Sequence, residues 1–130
     1  MTPEDFYGSE LLNVQEDKAV NTTQVEKILN KMDLKEVDMV ILPEMFNCPY
    51  VTSQFPIYAE KEGGNSWRIC SRLAARHQVY LVAGSMPEID TEGNVYNTSY
   101  IFERNGKQIG KHRKVHLFDI NIKEGQSFRE

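Results

Sequence analysis

Two short segments hold the side chains best placed to do chemistry. Val40-Ile41-Leu42-Pro43-Glu44 ends an apolar run on a carboxylate, and Lys111-His112-Arg113-Lys114 sets cations just ahead of Val115-His116-Leu117-Phe118. A carboxylate that moves a proton and an ammonium that holds a developing oxyanion are two of the groups a covalent hydrolase needs. The third is a nucleophile, for which a thiol would serve. The chain has two cysteines, Cys48 and Cys70. Cys48 lies in the loop Asn47-Cys48-Pro49-Tyr50, and Cys70 falls on the inward side of an expected helix, where a cysteine is ordinarily a small core residue. Neither has the electropositive setting that activates a thiol, so both read as inert. His77, His112 and His116 are scattered and form no HxH or HExxH pattern, so no metal site and no cofactor are expected.

Each candidate also has a plainer reading. Glu44 follows an apolar strand, and ligands of open α/β sheets bind beyond the carboxyl ends of strands. Partly withdrawn from water there, it could act as a general base; equally, it could cap a turn or pair with a surface lysine. Lys114 turned inward could hold an oxyanion or pair with Glu44; turned outward, the basic run is a solvated face. The alternation of a strand puts Lys114 and Arg113 on opposite faces, so the four residues of the run cannot all point one way. Phe118 does not interleave with the cations as a stacking platform would, and this disfavours a nucleic-acid surface.

The elements that must position these groups follow from periodicity. Val25, Ile28, Leu29 and Met32 make one apolar stripe, so a helix is expected from Asp17 to Met32. Val37 to Leu42 is apolar almost without alternation, as strands covered on both faces are, and Pro43 marks its end. Residues 45–64 form a long connection with Pro49, Pro56 and Gly63-Gly64. Asn65 or Ser66 can cap a second helix through His77, with Trp67, Cys70, Leu73 and Ala74 inward. Val79 to Gly84 is a second buried strand, and Glu88 to Asn94 a polar turn. Val95 to Glu103 and Lys107 to Val115 form a hairpin about Asn105-Gly106. Leu11, Leu12 and Val14 could make a short first strand or part of a loose arm over residues 1–16. Helix alternating with buried strand, then a hairpin, defines an α/β layered fold with a mixed sheet.

Taken together, four segments resemble the nitrilase superfamily of carbon-nitrogen hydrolases, with the omega-amidase branch the nearest. They are Leu42 to Tyr50, Tyr80 to Glu88, Val95-Tyr96-Asn97-Thr98 and Arg113 to Asp119, and their order and spacing make the likeness specific. The resemblance implies an αββα sandwich, of which this chain would be the N-terminal portion, with residues 17–130 a partial hydrolase domain. It implies a Glu-Lys-Cys site in which Glu44 is the general base and Lys114 stabilises the tetrahedral oxyanion. It also implies a second active-site glutamate in a Phe-x-Glu context, which Phe128-Arg129-Glu130 fits, so that Glu130 would be that residue. Phe46 and Tyr50 would line the pocket near Glu44. The family's nucleophile lies in a Cys-Tyr-Asp type of motif after the lysine, and no such motif occurs in these 130 residues. The expected function is therefore the N-terminal part of an amidase acting on small carboxamides, inactive by itself. The alternative is a non-catalytic module that pairs with another chain of the same fold.

Bulk properties bound the rest. Forty per cent hydrophobic and 26% charged residues fit a globular protein. A net charge of -4, from 19 acidic and 15 basic residues, does not favour nucleic acid or anionic membrane as a partner. No apolar run approaches the roughly 18 residues that span a bilayer. The start of the chain lacks the features of a secretory signal, and free thiols suit a reducing compartment, so a cytoplasmic location is expected. An apolar sheet face and an unpaired strand edge would favour association, so a homo-oligomer is expected.

Overall fold

The computed structural model describes residues 12–115 with the backbone of 119–122 and 126–129. Helix α1 spans Lys18–Lys31, and the Asp17 carboxylate caps it by accepting from the Ala19 N–H at 2.8 Å. Strand β1 (Met39–Ile41) follows. A 3-10 turn (Thr52–Gln54) and a one-turn helix α2 (Phe55–Tyr58) occupy the long connection to α3 (Asn65–His77). Then come β2 (Tyr80–Val82), β3 (Met86–Ile89), β4 (Val95–Phe102), β5 (Gln108–Arg113), β6 (Asp119–Ile122) and β7 (Gln126–Arg129).

β1 and β2 run parallel, with Met39 opposite Tyr80 and Ile41 opposite Val82. The remaining ladders of the main sheet are antiparallel, so the sheet is mixed as the sequence implies. The long strand β4 organises it. Leu81 and Val82 of β2 pair with the end of β4, and Met86 to Ile89 of β3 pair with its beginning. β5 pairs along the opposite edge, Thr98 with Arg113 through Phe102 with Gln108. β2 and β3 therefore share one edge of β4, separated by a break at Gly84. β6 and β7 form a two-stranded ladder of their own.

The pairing register sorts residues onto two faces. Leu81, Met86, Thr98, Tyr100 and Phe102 point to one side, where they are buried with Val25 and Leu29 of α1 and Ile69 and Leu73 of α3. Trp67 meets Phe102 edge-on at 5.1 Å between ring centres and donates from Nε1 to Gln108 at 2.6 Å. The other side carries Met39, Ile41, Tyr80, Val82, Ile101, Ser99, Asn97, His112 and Lys114.

Three expectations need correction. β1 is not covered on both faces: Met39 is 51% and Ile41 68% exposed, because both long helices lie on the same side of the sheet. The stretch from Glu88 to Asn94 is not all turn, since β3 (Met86–Ile89) takes in Glu88 and Ile89 and the turn comes after it. Pro87 takes nothing from the β4 ladder, because its backbone groups face the other edge, where its carbonyl accepts from the Glu60 N–H at 3.1 Å, while Glu88 is buried among cations. Neither Asn65 nor Ser66 caps α3. Gly64 is its N-cap residue, and the Glu60 carboxylate accepts from the Ser66 N–H at 2.9 Å. At the start, residues 12–16 contain no strand, Leu12 packs partly against the core, and Leu11 lies outside the described residues.

Candidate active site

Glu44 sits where β1 ends, and its place is set by the break between β2 and β3. Leu42 N–H donates to the Val82 carbonyl at 2.9 Å, which carries the parallel pairing one residue past β1. Gly84 then passes so close that a Cβ there would overlap the Pro43 carbonyl oxygen and come within 2.6 Å of that of Leu42. Its φ of +32° adds a second reason for glycine. On the far side of Glu44, the Met45 N–H donates to Ser85 Oγ at 3.1 Å and the Phe46 N–H to the Ser85 carbonyl at 3.3 Å. Met45 itself adopts a left-handed backbone, φ +50°. The carboxylate is thus held between two anchored peptide groups.

Lys114 reaches the same place from the opposite edge of β4. Its N–H donates to the Asn97 carbonyl at 2.8 Å, extending the β4–β5 ladder beyond Arg113. Alternation then sends its side chain to the open face, where Nζ lies 3.1 Å from Glu44 Oε1. Asn97 Nδ2 donates to the same oxygen at 3.0 Å. The Tyr50 hydroxyl stands 3.5 Å from it and 3.4 Å from Lys114 Nζ. Tyr50 is oriented by its ring, which meets Phe55 edge-on at 5.6 Å over a small second core of Met45, Cys48 and Phe55. Three side chains from three separate stretches of chain thus converge on one carboxylate oxygen.

Glu44, Asn97 and Lys114 line a recess of about 260 Å³ together with Ser85, Ser99 and His112, with Ile41 and Val82 below; Tyr50, expected at its wall, touches Glu44 and Lys114 but is not part of the lining. Glu44 is half exposed, 50% at its side chain, and Lys114 27%, so the carboxylate is less withdrawn from water than its position after a strand suggests. A larger basin of about 810 Å³ lies at the other end of β1 and β2. In its lining Arg104 pairs with Asp38 at 2.8 Å, and His77 is hydrogen-bonded to Asn30 at 3.1 Å.

The two cysteines are kept from reacting by burial. Cys48 and Cys70 are unpaired and fully buried. Burial pushes the Cys48 thiol up to about 11, only partly offset by Lys18, and the Cys70 thiol up to about 12. Phe46, expected at the pocket wall, is 1% exposed within the main core and does not line the recess. Glu130 and His116 lie outside the described residues. Among the described residues no group of His, Cys, Asp and Glu could hold a metal ion, and no helix is long and apolar enough to cross a membrane. Asn97 was absent from the expected site residues. Its signal was present: an amide in a strand otherwise rich in aromatic and β-branched residues.

A helix-backed mixed sheet with a glutamate and a lysine joined at a strand end defines a class of α/β protein with a carboxylate–ammonium pair on its open face. The chain belongs to the carbon-nitrogen hydrolase family, whose pattern it matches over residues 7–130. It is 43% identical to omega-amidase NIT3 of Saccharomyces cerevisiae over 121 residues, 88% of this chain and 42% of that protein. It is 40% identical to nitrilase homolog 2 of Dictyostelium discoideum over 126 residues, 96% of this chain and 38% of that one. The crystal structure of yeast Nit3, a member of branch 10 of the nitrilase superfamily, superposes with a TM-score of 0.74 at 40% identity, covering 83% of this chain and 42% of that chain. The chain thus spans about two fifths of the length of these relatives.

Proposed function

We propose that this chain supplies the base and the oxyanion-binding group of an amidase acting on small carboxamides. The observation that carries the reading is the 3.1 Å approach of Lys114 Nζ to Glu44 Oε1 at the rim of a recess, between groups 70 residues apart in sequence. In the proposed reaction a cysteine thiol gives its proton to Glu44 and its sulfur attacks the amide carbon. The carbonyl oxygen becomes an oxyanion held by Lys114. Glu44 returns the proton to the departing amine, ammonia leaves, and a thioester remains. Water, deprotonated by Glu44, then hydrolyses the thioester and restores the thiol. Asn97 and Tyr50 orient the carboxylate, and Glu130 is the second glutamate of the site.

Cys48 and Cys70 are unsuited to the nucleophile's part, being buried with their thiols held protonated. The attacking thiol in this reading belongs to a Cys-Tyr-Asp type of segment over the open face. The test is ammonia release from small omega-amides. The 130-residue chain is expected to be silent, and turnover surviving Cys48→Ala and Cys70→Ala overturns the reading. If the coding region continues into such a segment, the longer product is expected to turn over and to lose about a thousandfold with Glu44→Gln or Lys114→Met. Two buried free thiols fit a reducing compartment, so we place the protein in the cytoplasm.

A second reading rests on the open face: the chain is a non-catalytic module pairing with another chain of the same fold. The exposure of Met39 at 51% and Ile41 at 68% supports it. Light scattering on the purified chain tests it, and a well-behaved monomer at high concentration counts against it.

A further inference from the structure

A second charged cluster occupies the helix-covered side of the sheet, away from the recess. Its centre is Glu88 on β3, 3% exposed at its side chain. Oε1 accepts from Thr98 Oγ1 at 2.7 Å and from Arg113 Nε at 2.9 Å. Oε2 accepts from Lys111 Nζ at 2.6 Å and from an Arg113 terminal nitrogen at 3.0 Å. Both oxygens are therefore doubly engaged, and Arg113 grips the carboxylate through a two-nitrogen fork. The Arg113 guanidinium also lies 4.0 Å above the Tyr96 ring, and Lys111 reaches Glu62 at 3.1 Å.

Neutralising one buried acid requires one cation. Here it is met by two, at alternate positions of one strand, and one of them is held in a geometry that a point charge would not impose. β5 has β4 as its sheet neighbour and ends at Arg113. Lys114 is the next residue, pointing to the opposite face. Whatever fixes the rotation of β5 about its own axis also aims Lys114.

We propose that Glu88 is a positioning residue for Lys114: by holding Lys111 and Arg113 on the helix-covered face, it fixes the facing of β5 and delivers the Lys114 ammonium to Glu44. Its catalytic meaning rests on the amidase reading above; its geometric content does not.

The test uses the labelled 130-residue chain and two NMR readouts that do not involve turnover. The first is the pH-dependent step in the Lys114 side-chain signal that vanishes in Glu44→Gln, the signal being assigned by its loss in Lys114→Met. The second is hydrogen exchange of the Lys114 amide, whose partner is the Asn97 carbonyl. In Glu88→Gln, and in Arg113→Lys, which keeps the charge but loses the fork, the Glu44-linked step is expected to shrink by at least about half and the amide to exchange about tenfold faster. Leu73→Ala, which opens a cavity in the core under the sheet and removes no hydrogen bond or ion pair of β5, is expected to leave both unchanged at matched global stability. The proposal is overturned if folded Arg113→Lys keeps the wild-type step and exchange rate, or if Leu73→Ala disturbs them equally. Should Glu88→Gln not fold, Arg113→Lys decides. An inactive longer product would sink the amidase reading and leave these readouts untouched.

Discussion

At Gly84 one backbone passes another with no room for a single carbon, and the position of Glu44 depends on that passage. Gly84→Ala must push the Leu42–Pro43 backbone aside and adopt a strained φ, so it is expected to destabilise the chain by about 3 kcal/mol or more, measured by urea denaturation. Glu44→Gln is the contrasting case. The Glu44–Lys114 pair is half exposed at one partner, and such pairs contribute at most about 1 kcal/mol, so the variant is expected to denature within that margin of wild type. A site residue that matters to chemistry and hardly to stability is what the amidase reading needs. At this scale the sequence was informative where motif order could be used: Glu44 and Lys114 are each ambiguous alone and become a pair only in company. Asn97 was legible only as an amide out of place on a strand, because nothing local says that it will face a carboxylate 53 residues earlier. Phe46 sits beside the site in sequence and inside the core in space, since the turn at Met45 sends it inward.

Among the elements, α1 and α3 were readable from their apolar stripes, and the β4–β5 hairpin from Asn105-Gly106, where φ at Gly106 is +85°. The alternation of Lys111 to Lys114 was readable too, although only the structure identifies Glu88 as the acid on the far side. The α3 cap was not, because Glu60 reaches it from outside the helix. That carboxylate takes the Ser66 N–H at 2.9 Å, the Ser66 hydroxyl at 2.6 Å and Lys18 Nζ at 3.1 Å. Burial tends to raise its pKa, but the hydrogen bonds from Ser66 and the Lys18 charge outweigh this and leave it lowered. Glu60→Ala removes the cap, takes the acceptor from the Ser66 hydroxyl and leaves Lys18 with the Tyr58 carbonyl alone. A loss of about 2 kcal/mol is expected, with exchange of the first-turn amides of α3 rising more than that of β4, as hydrogen exchange can measure. Glu60→Gln is expected to recover part of the loss.

For the molecule as a whole, acid is the revealing perturbation. Glu88 is pulled up by burial but held down at about 2 by Arg113, Lys111 and Thr98. Glu60 and Glu62 are lowered as well, the latter chiefly by its bonds to Gln108 and Lys111. A carboxyl whose folded value is depressed stabilises the fold above its unfolded value, near about 4.3, and the contribution disappears as pH falls through the folded value. Stability from urea titrations is therefore expected to be flat above about pH 5 and to fall towards pH 2, with Glu88→Gln showing a lower plateau and a shallower fall. The open face is the other property of the whole. The apolar run of β1 suggested cover on both sides, and sequence alone cannot say which elements provide it. Ile41→Lys is expected to reduce any self-association seen by light scattering while shifting Tm by no more than about 2 °C, since Ile41 is 68% exposed. The buried acid has one more consequence, for folding rather than for the finished site. A strand that paired one residue out of step would turn Lys111 and Arg113 to the open side, bring His112 and Lys114 to the helix-covered side, and replace the two-nitrogen fork on Glu88 with at most a single ammonium. Glu88 thus favours the native β4–β5 register over the slipped one.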